Sequence, residues 1–423
     1  MKRQFSLGTV FRMAEKPLLR RFFGQFGAEV ETFCWDDVNY RNVQPLEKLF
    51  DSLQPGKRDE AEVALRQIHA LACDKGMGEL AESAAFFQPG DSWEEMFLST
   101  QNLYSKSFSA WLDFRDVFDY AVQFFEVDSL AWWQKRLDLP RITPHLDGNA
   151  IEALETEIED LLKTTQGRGY ACTIETVSRA NGVFYFFAYP DDYVRDSLMH
   201  DDTGVLVHRP IRQTFEIVFA YDSIEGSSDL SARLPKRIKE QLELIFLRNI
   251  LNMKMTSEEQ KPFDLSVLLA PNFQLATRPE DHLKANVTGI AVSLSNGDSV
   301  SFRTQGTRPA VQAMRAKLDP GALLDQNFTV SWAKFRFEFL PAGGGRPKRL
   351  TFEISAPFSS TLKNRRPDLE EIIHRYLKDW GIEYDHENVT TSRGVTNDAL
   401  LLTGGDGRSE GITAQTPEHS GVA

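Results

Sequence analysis

The chain has 423 residues, 41% hydrophobic and 26% charged, with a net charge of -13 and a pI near 5.2. That length favours two domains over one. The composition excludes a largely disordered chain, and the acidity excludes general coating of nucleic acid, so any such binding has to be local.

The N-terminus, MKRQFSLGTVFRMAEKPLLRRFF, lacks the uninterrupted apolar core of a signal peptide. No stretch approaches the roughly 18 apolar residues of a membrane span, so no membrane partner is expected. Cys34, Cys73 and Cys172 are far apart, and none belongs to a C-x-x-C pair. They read as unpaired thiols in a reducing, cytoplasmic setting.

Residues 1–165 read as helices. Pro17 suits a first turn, followed by Leu18, Leu19, Phe22, Phe23 and Phe26. Ala61, Leu65, Ile68 and Ala72 share a stripe, with Gly76 placed as a C-terminal cap. Ser92 and Glu95 have capping-box spacing. Trp111, Phe114, Phe118, Val122 and Phe125 recur at three and four, as do Ile151, Leu154, Ile158 and Leu161.

From about residue 168 the period changes to two. CTIETVS and VFYFFAY flank Asn181-Gly182, a hairpin turn signal, and QTFEIVFAYD supplies a third strand. A helix with Pro235 at its start runs to about residue 253. GIAVSLS and DSVSFRT meet at Asn296-Gly297, and TVSWAKFRFEF and KRLTFEIS are joined by PAGGGRP. A last helix starts near Pro367 and ends at Gly381. Beyond 384 the chain is rich in Gly, Ser and Thr. The expectation is therefore α+β: an all-helical domain (1–165), a mostly antiparallel sheet domain with packed helices (166–384), and a disordered tail (385–423).

The common catalytic signatures are missing. There is no P-loop, no G-x-G-x-x-G after a strand, no H-E-x-x-H and no G-x-S-x-G, which leans the reading away from an enzyme and from any cofactor. One stretch, YPDDYVRDSLMHDDTGVLVH, gathers Asp191, Asp192, His200, Asp201 and His208 between two strands. Carboxylate and imidazole together hold metals that activate water, so a metal-dependent hydrolase or nuclease is the alternative. The bland reading is a solvated acidic turn.

Residues 303–366 carry twelve Lys and Arg against four acids, or +8 locally. On strand 329–339, Phe335, Phe337 and Phe339 share one face, and Trp332, Lys334, Arg336 and Glu338 the other. A base can stack on Trp332 while cations hold phosphates. A register pairing 338 with 349 also pairs 334 with 353, and one shifted by two pairs 336 with 353; either neutralises part of that face. The remainder lies in the connecting loops. The candidate anion-binding residues are Arg346, Lys348, Arg349, Lys363, Arg365, Arg366, Trp332 and Arg336. The leading expectation is a non-catalytic interaction or sensing subunit that binds a protein partner and, through this surface, nucleic acid. Such subunits are common in bacterial multi-gene systems, antiviral ones among them. A protein–protein scaffold using Trp132 and Trp133 is the third reading.

Overall fold

The structure is a computed structural model. It describes residues 4–384 apart from short segments at 40, 138, 180, 202, 254–261, 271, 295–297, 305–308, 318–327, 342–345 and 364–366. The tail after 384 lies outside the described residues. The chain is α+β, as the change of period predicts.

Among the described residues eight α-helices come first: α1 (Leu7–Met13), α2 (Lys16–Gln25), α3 (Gln44–Asp51), α4 (Pro55–Leu71), α5 (Asp74–Phe87), α6 (Asp91–Ser99), α7 (Leu103–Asp113) and α8 (Arg115–Val127). Their apolar stripes meet in one core that contains Phe22, Phe23, Leu65, Ile68, Phe108 and Phe118. Phe22 stands edge-on to Phe108 with centroids 5.5 Å apart, a favourable aromatic geometry. Three local expectations differ from the structure. Gly76 does not cap a helix; it lies in the first turn of α5, where a Cβ would come within 2.1 Å of the Leu71 carbonyl oxygen. The cap is Cys73, whose sulfur accepts from the Gly76 N–H. Helix α6 starts after Gly90, with no side-chain cap from Ser92. Phe114 separates α7 from α8, so its stripe belongs to two helices.

Among the described residues eleven strands form one antiparallel sheet in the order β2-β3-β5-β6-β1-β11-β10-β9-β7-β8, with β4 beside β3. They are β1 (Trp133–Arg136), β2 (Cys172–Ser178), β3 (Val183–His200), β4 (Leu206–Thr214), β5 (Ile217–Asp222), β6 (Ser227–Ala232), β7 (Leu283–Leu294), β8 (Ser299–Arg303), β9 (Phe328–Phe339), β10 (Lys348–Ser355) and β11 (Ser359–Ser360). The hairpins expected at 172–189 and 329–355 form, the second one residue longer at its start. Register 338–349 and 334–353 is the one adopted. Two features lay hidden within the helical stretch. Residues 133–136 are a strand at the centre of the sheet, and α9 (Gly148–Gln166) packs on the sheet.

One half of the sheet is covered on both faces and the other on one. Helices α9 and α10 (Lys236–Leu251) bury Phe186, Ile217, Phe219 and Leu230. The other face of that half carries Tyr185, Phe187, Val218 and Ala220, and rests on Tyr120 and Phe124 of α8. Trp133 belongs to this second face. Ser360 pairs with Trp133 and Ile354 with Ser360, so Ile354 points the same way. With it go Phe335, Phe337 and Phe352, which pack on α11 (Ala310–Arg315) and α12 (Pro367–Asp379). The opposite face of β7–β10 has no helix packed on it among the described residues.

Candidate anion-binding surface

The uncovered face is built by alternation. Register places Lys284 beside Glu338 and Asn286 beside Arg336; Gly289 lies between Lys334 and Arg303. On the far side Arg349 opposes Glu338, and Glu353 opposes Lys334. Five cations, Lys284, Arg303, Lys334, Arg336 and Arg349, therefore share this face with two carboxylates.

The expected neutralisation occurs. Lys334 Nζ donates to Glu353 at 2.9 Å, and Arg349 Nε lies 2.9 Å from Glu338. Both pairs are partly exposed, so each contributes little to stability. Burial raises the affinity of Glu353 for its proton. Hydrogen bonds from Lys334 and Trp332, and the charge of Arg303, outweigh that and hold its carboxyl below the usual range. Glu353 also fixes Trp332, whose Nε1 donates to it at 3.2 Å. The indole lies across Gly289, where a Cβ would come within 2.7 Å of its ring. The Arg303 guanidinium stands 5.4 Å from the ring centroid. A partly exposed aromatic held among cations is suited to stacking and phosphate contact.

The loop candidates divide. Arg346 and Lys348 are exposed at the end of the β9–β10 hairpin, next to Arg349. Arg365 and Arg366 lie outside the described residues. Lys363 is turned away from the open face; it bonds Asp229 on β6 and stands 4.5 Å over the Trp133 ring.

The Asp/His stretch is not a loop. β3 continues through Pro190 to His200 and returns along β4, a two-stranded ribbon projecting from the sheet. Asp191 and His200 are nine positions apart on one strand, roughly 30 Å when extended. Asp192 is buried between Arg168 and Arg195, Asp191 faces Arg212 at 3.8 Å, and His208 pairs with Asp196 at 2.8 Å. The Asp201 carboxylate accepts from the backbone N–H groups of Thr203 and Val205 within its own turn. Among the described residues no group of three potential ligands is positioned to hold a metal. Trp133 is buried, which removes it from any exposed aromatic scaffold, whereas Trp132 is 42% exposed.

Sequence reasoning missed a cleft of about 950 Å³ between α12 and the sheet. Trp133, Lys135, Asp229, Lys363, His374 and Glu383 line it. Burial works against the Lys135 charge, yet Glu383, Asp229, Glu225 and Asp222 more than offset this and raise its pKa. Glu383 lies 3.8 Å from Lys135 and accepts from His374 Nδ1 at 2.6 Å. Its cations and carboxylates balance, so the cleft favours no one charge sign. These residues come from three segments roughly a hundred positions apart, and only the alternation of Trp133 and Lys135 hints at them.

No protein-family model and no curated protein matches this chain. Among the described residues no helix is long and apolar enough to cross a membrane.

Proposed function

We propose that the chain is a non-catalytic binding subunit that holds an anionic polymer, single-stranded nucleic acid foremost, on the open face of β7–β10. The observation carrying this reading is the uncovered sheet face itself. It concentrates five cations around a fixed tryptophan on a protein of charge -13. Arg346 and Lys348 extend the positive charge past the hairpin end. Single strands are favoured over duplex because a flat face with one stacking ring matches unpaired bases.

The test is fluorescence anisotropy of a labelled single-stranded oligonucleotide at two salt concentrations, with a duplex in parallel. The triple variant Lys284→Glu/Arg303→Glu/Arg349→Glu should lose binding. It should also flatten the salt dependence by about two units of log K per log salt. Arg66→Glu, on α4, should change nothing. Equal binding by both variants and the native chain would sink the reading.

A further inference from the structure

The ribbon formed by the outer part of β3 and by β4 poses a physical problem. From Tyr193 to Leu206 nearly every residue is exposed, including Tyr193, Val194, Leu198, Met199, Val205 and Leu206. An isolated two-stranded ribbon in water is at best marginal. Its two edges differ. Asp201 N–H donates to Val205 O at 2.9 Å, which sets the phase of the ladder. Residues 195, 197 and 199 then point their backbone groups at β4, and 194, 196, 198 and 200 point theirs outward. On β4 the outward set includes Pro210, opposite Asp196. With no N–H, Pro210 blocks that edge. The edge of β3 contains no proline from Tyr193 to His200, and β2 covers β3 only as far as Pro190.

We propose that this free edge pairs antiparallel with the same edge of a second copy, about a two-fold axis at Leu198. Outward-facing residues then meet outward-facing residues, as a ladder requires. The register makes the strand self-complementary. Leu198 meets its own copy, Asp196 faces His200, and Arg195 faces Asp201, each charged pair occurring twice. Moving the axis to Asp196 would set two carboxylates against each other, and moving it to Ser197 would lose both charge pairs. The result is a continuous four-stranded sheet, β4-β3-β3-β4, joining two molecules at the ribbon tips. The two bodies lie at opposite ends, which leaves the open faces of β7–β10 free. The interface is isologous, so it closes at two copies.

Sedimentation equilibrium of the full chain over a wide concentration range reads the state directly, and a dimer is expected. Leu198→Pro removes an outward N–H without touching the ribbon's own bonds, so it should give a monomer. His200→Asp sets like charges opposite and should weaken the dimer at least tenfold. Adding Asp196→His should restore most of the loss. In a Cys34→Ser background, Leu198→Cys should cross-link under mild oxidation, because paired Cα atoms lie about 5.5 Å apart there. Arg195→Cys should not. A native chain monomeric at every concentration, a dimer indifferent to Leu198→Pro, or equal cross-linking of the two cysteine variants would each overturn the proposal.

Discussion

Arg179 sits in the turn between β2 and β3 and reaches into the helical region. Its guanidinium lies 3.2 Å from Glu79 and 3.4 Å from Asp128, over the Phe124 ring. Three acids, Glu79, Glu82 and Asp128, crowd this one cation, with Lys75 3.9 Å from Asp128. Burial, and a hydrogen bond and repulsion from Asp128, push the Glu79 carboxyl up to about 8. The folded state therefore holds a proton that the unfolded chain releases near its ordinary value of 4.5. Stability from this group is fully present below pH 4.5 and is lost as pH rises through about 8. Glu79→Gln should flatten the fall in melting temperature between pH 5 and pH 8, measured by scanning calorimetry. An unchanged slope would place the proton elsewhere. Nothing in the local sequence marks this cluster, because its members come from α5, α8 and a distant turn. Asp191, Asp192 and His200 do not converge, for the reverse reason: nearness in sequence means distance in space along an extended strand.

At the scale of elements, period was the dependable signal. Alternation in 329–339 and 348–355 located both strands and their inner and outer faces, and narrowed the register of the hairpin to two, of which the first forms. It missed the length of β3, because Pro190, Asp191 and Asp192 carry the chemistry of a turn. The fold absorbs them instead, with a break in register between Asp191 and Val194, and with Asp192 paired to Arg168 and Arg195. Gly289 is the opposite case, a glycine inside a strand that exists to seat a neighbour. Gly289→Leu should displace Trp332 from the open face and weaken single-strand binding by about tenfold, on the order of one stacked base. Circular dichroism should show the sheet intact. Undiminished binding would mean that Trp332 takes no part.

For the whole molecule, the cleft at the centre of the sheet joins its two halves electrostatically. Lys135 on β1 meets Glu383 beyond α12, and Lys363 after β11 meets Asp229 on β6. Losing Lys135 leaves buried Glu383 with His374 as its close partner, so the cost should approach the about 3 kcal/mol of stranding a buried charge. Lys135→Met should lower stability by that amount in urea unfolding. A change within experimental error would show that His374 alone suffices for Glu383. The sequence could not have shown this arrangement, since patterning reports which face a residue takes and not which distant segment meets it.

Strand β1 has a consequence for how the molecule comes to exist. Its four residues pair with β6, roughly a hundred residues downstream, and with β11, more than two hundred downstream. On the ribosome this segment emerges early, gains β6 and the cluster around Trp133 once residue 232 is made, and then waits for β11 until almost the whole described chain is made. The loops it must close are among the longest in the fold, so its insertion should be the late, slow event of folding. Until then the protein is two half-sheets, and a chain cut short before residue 359 would leave them unjoined for want of β11.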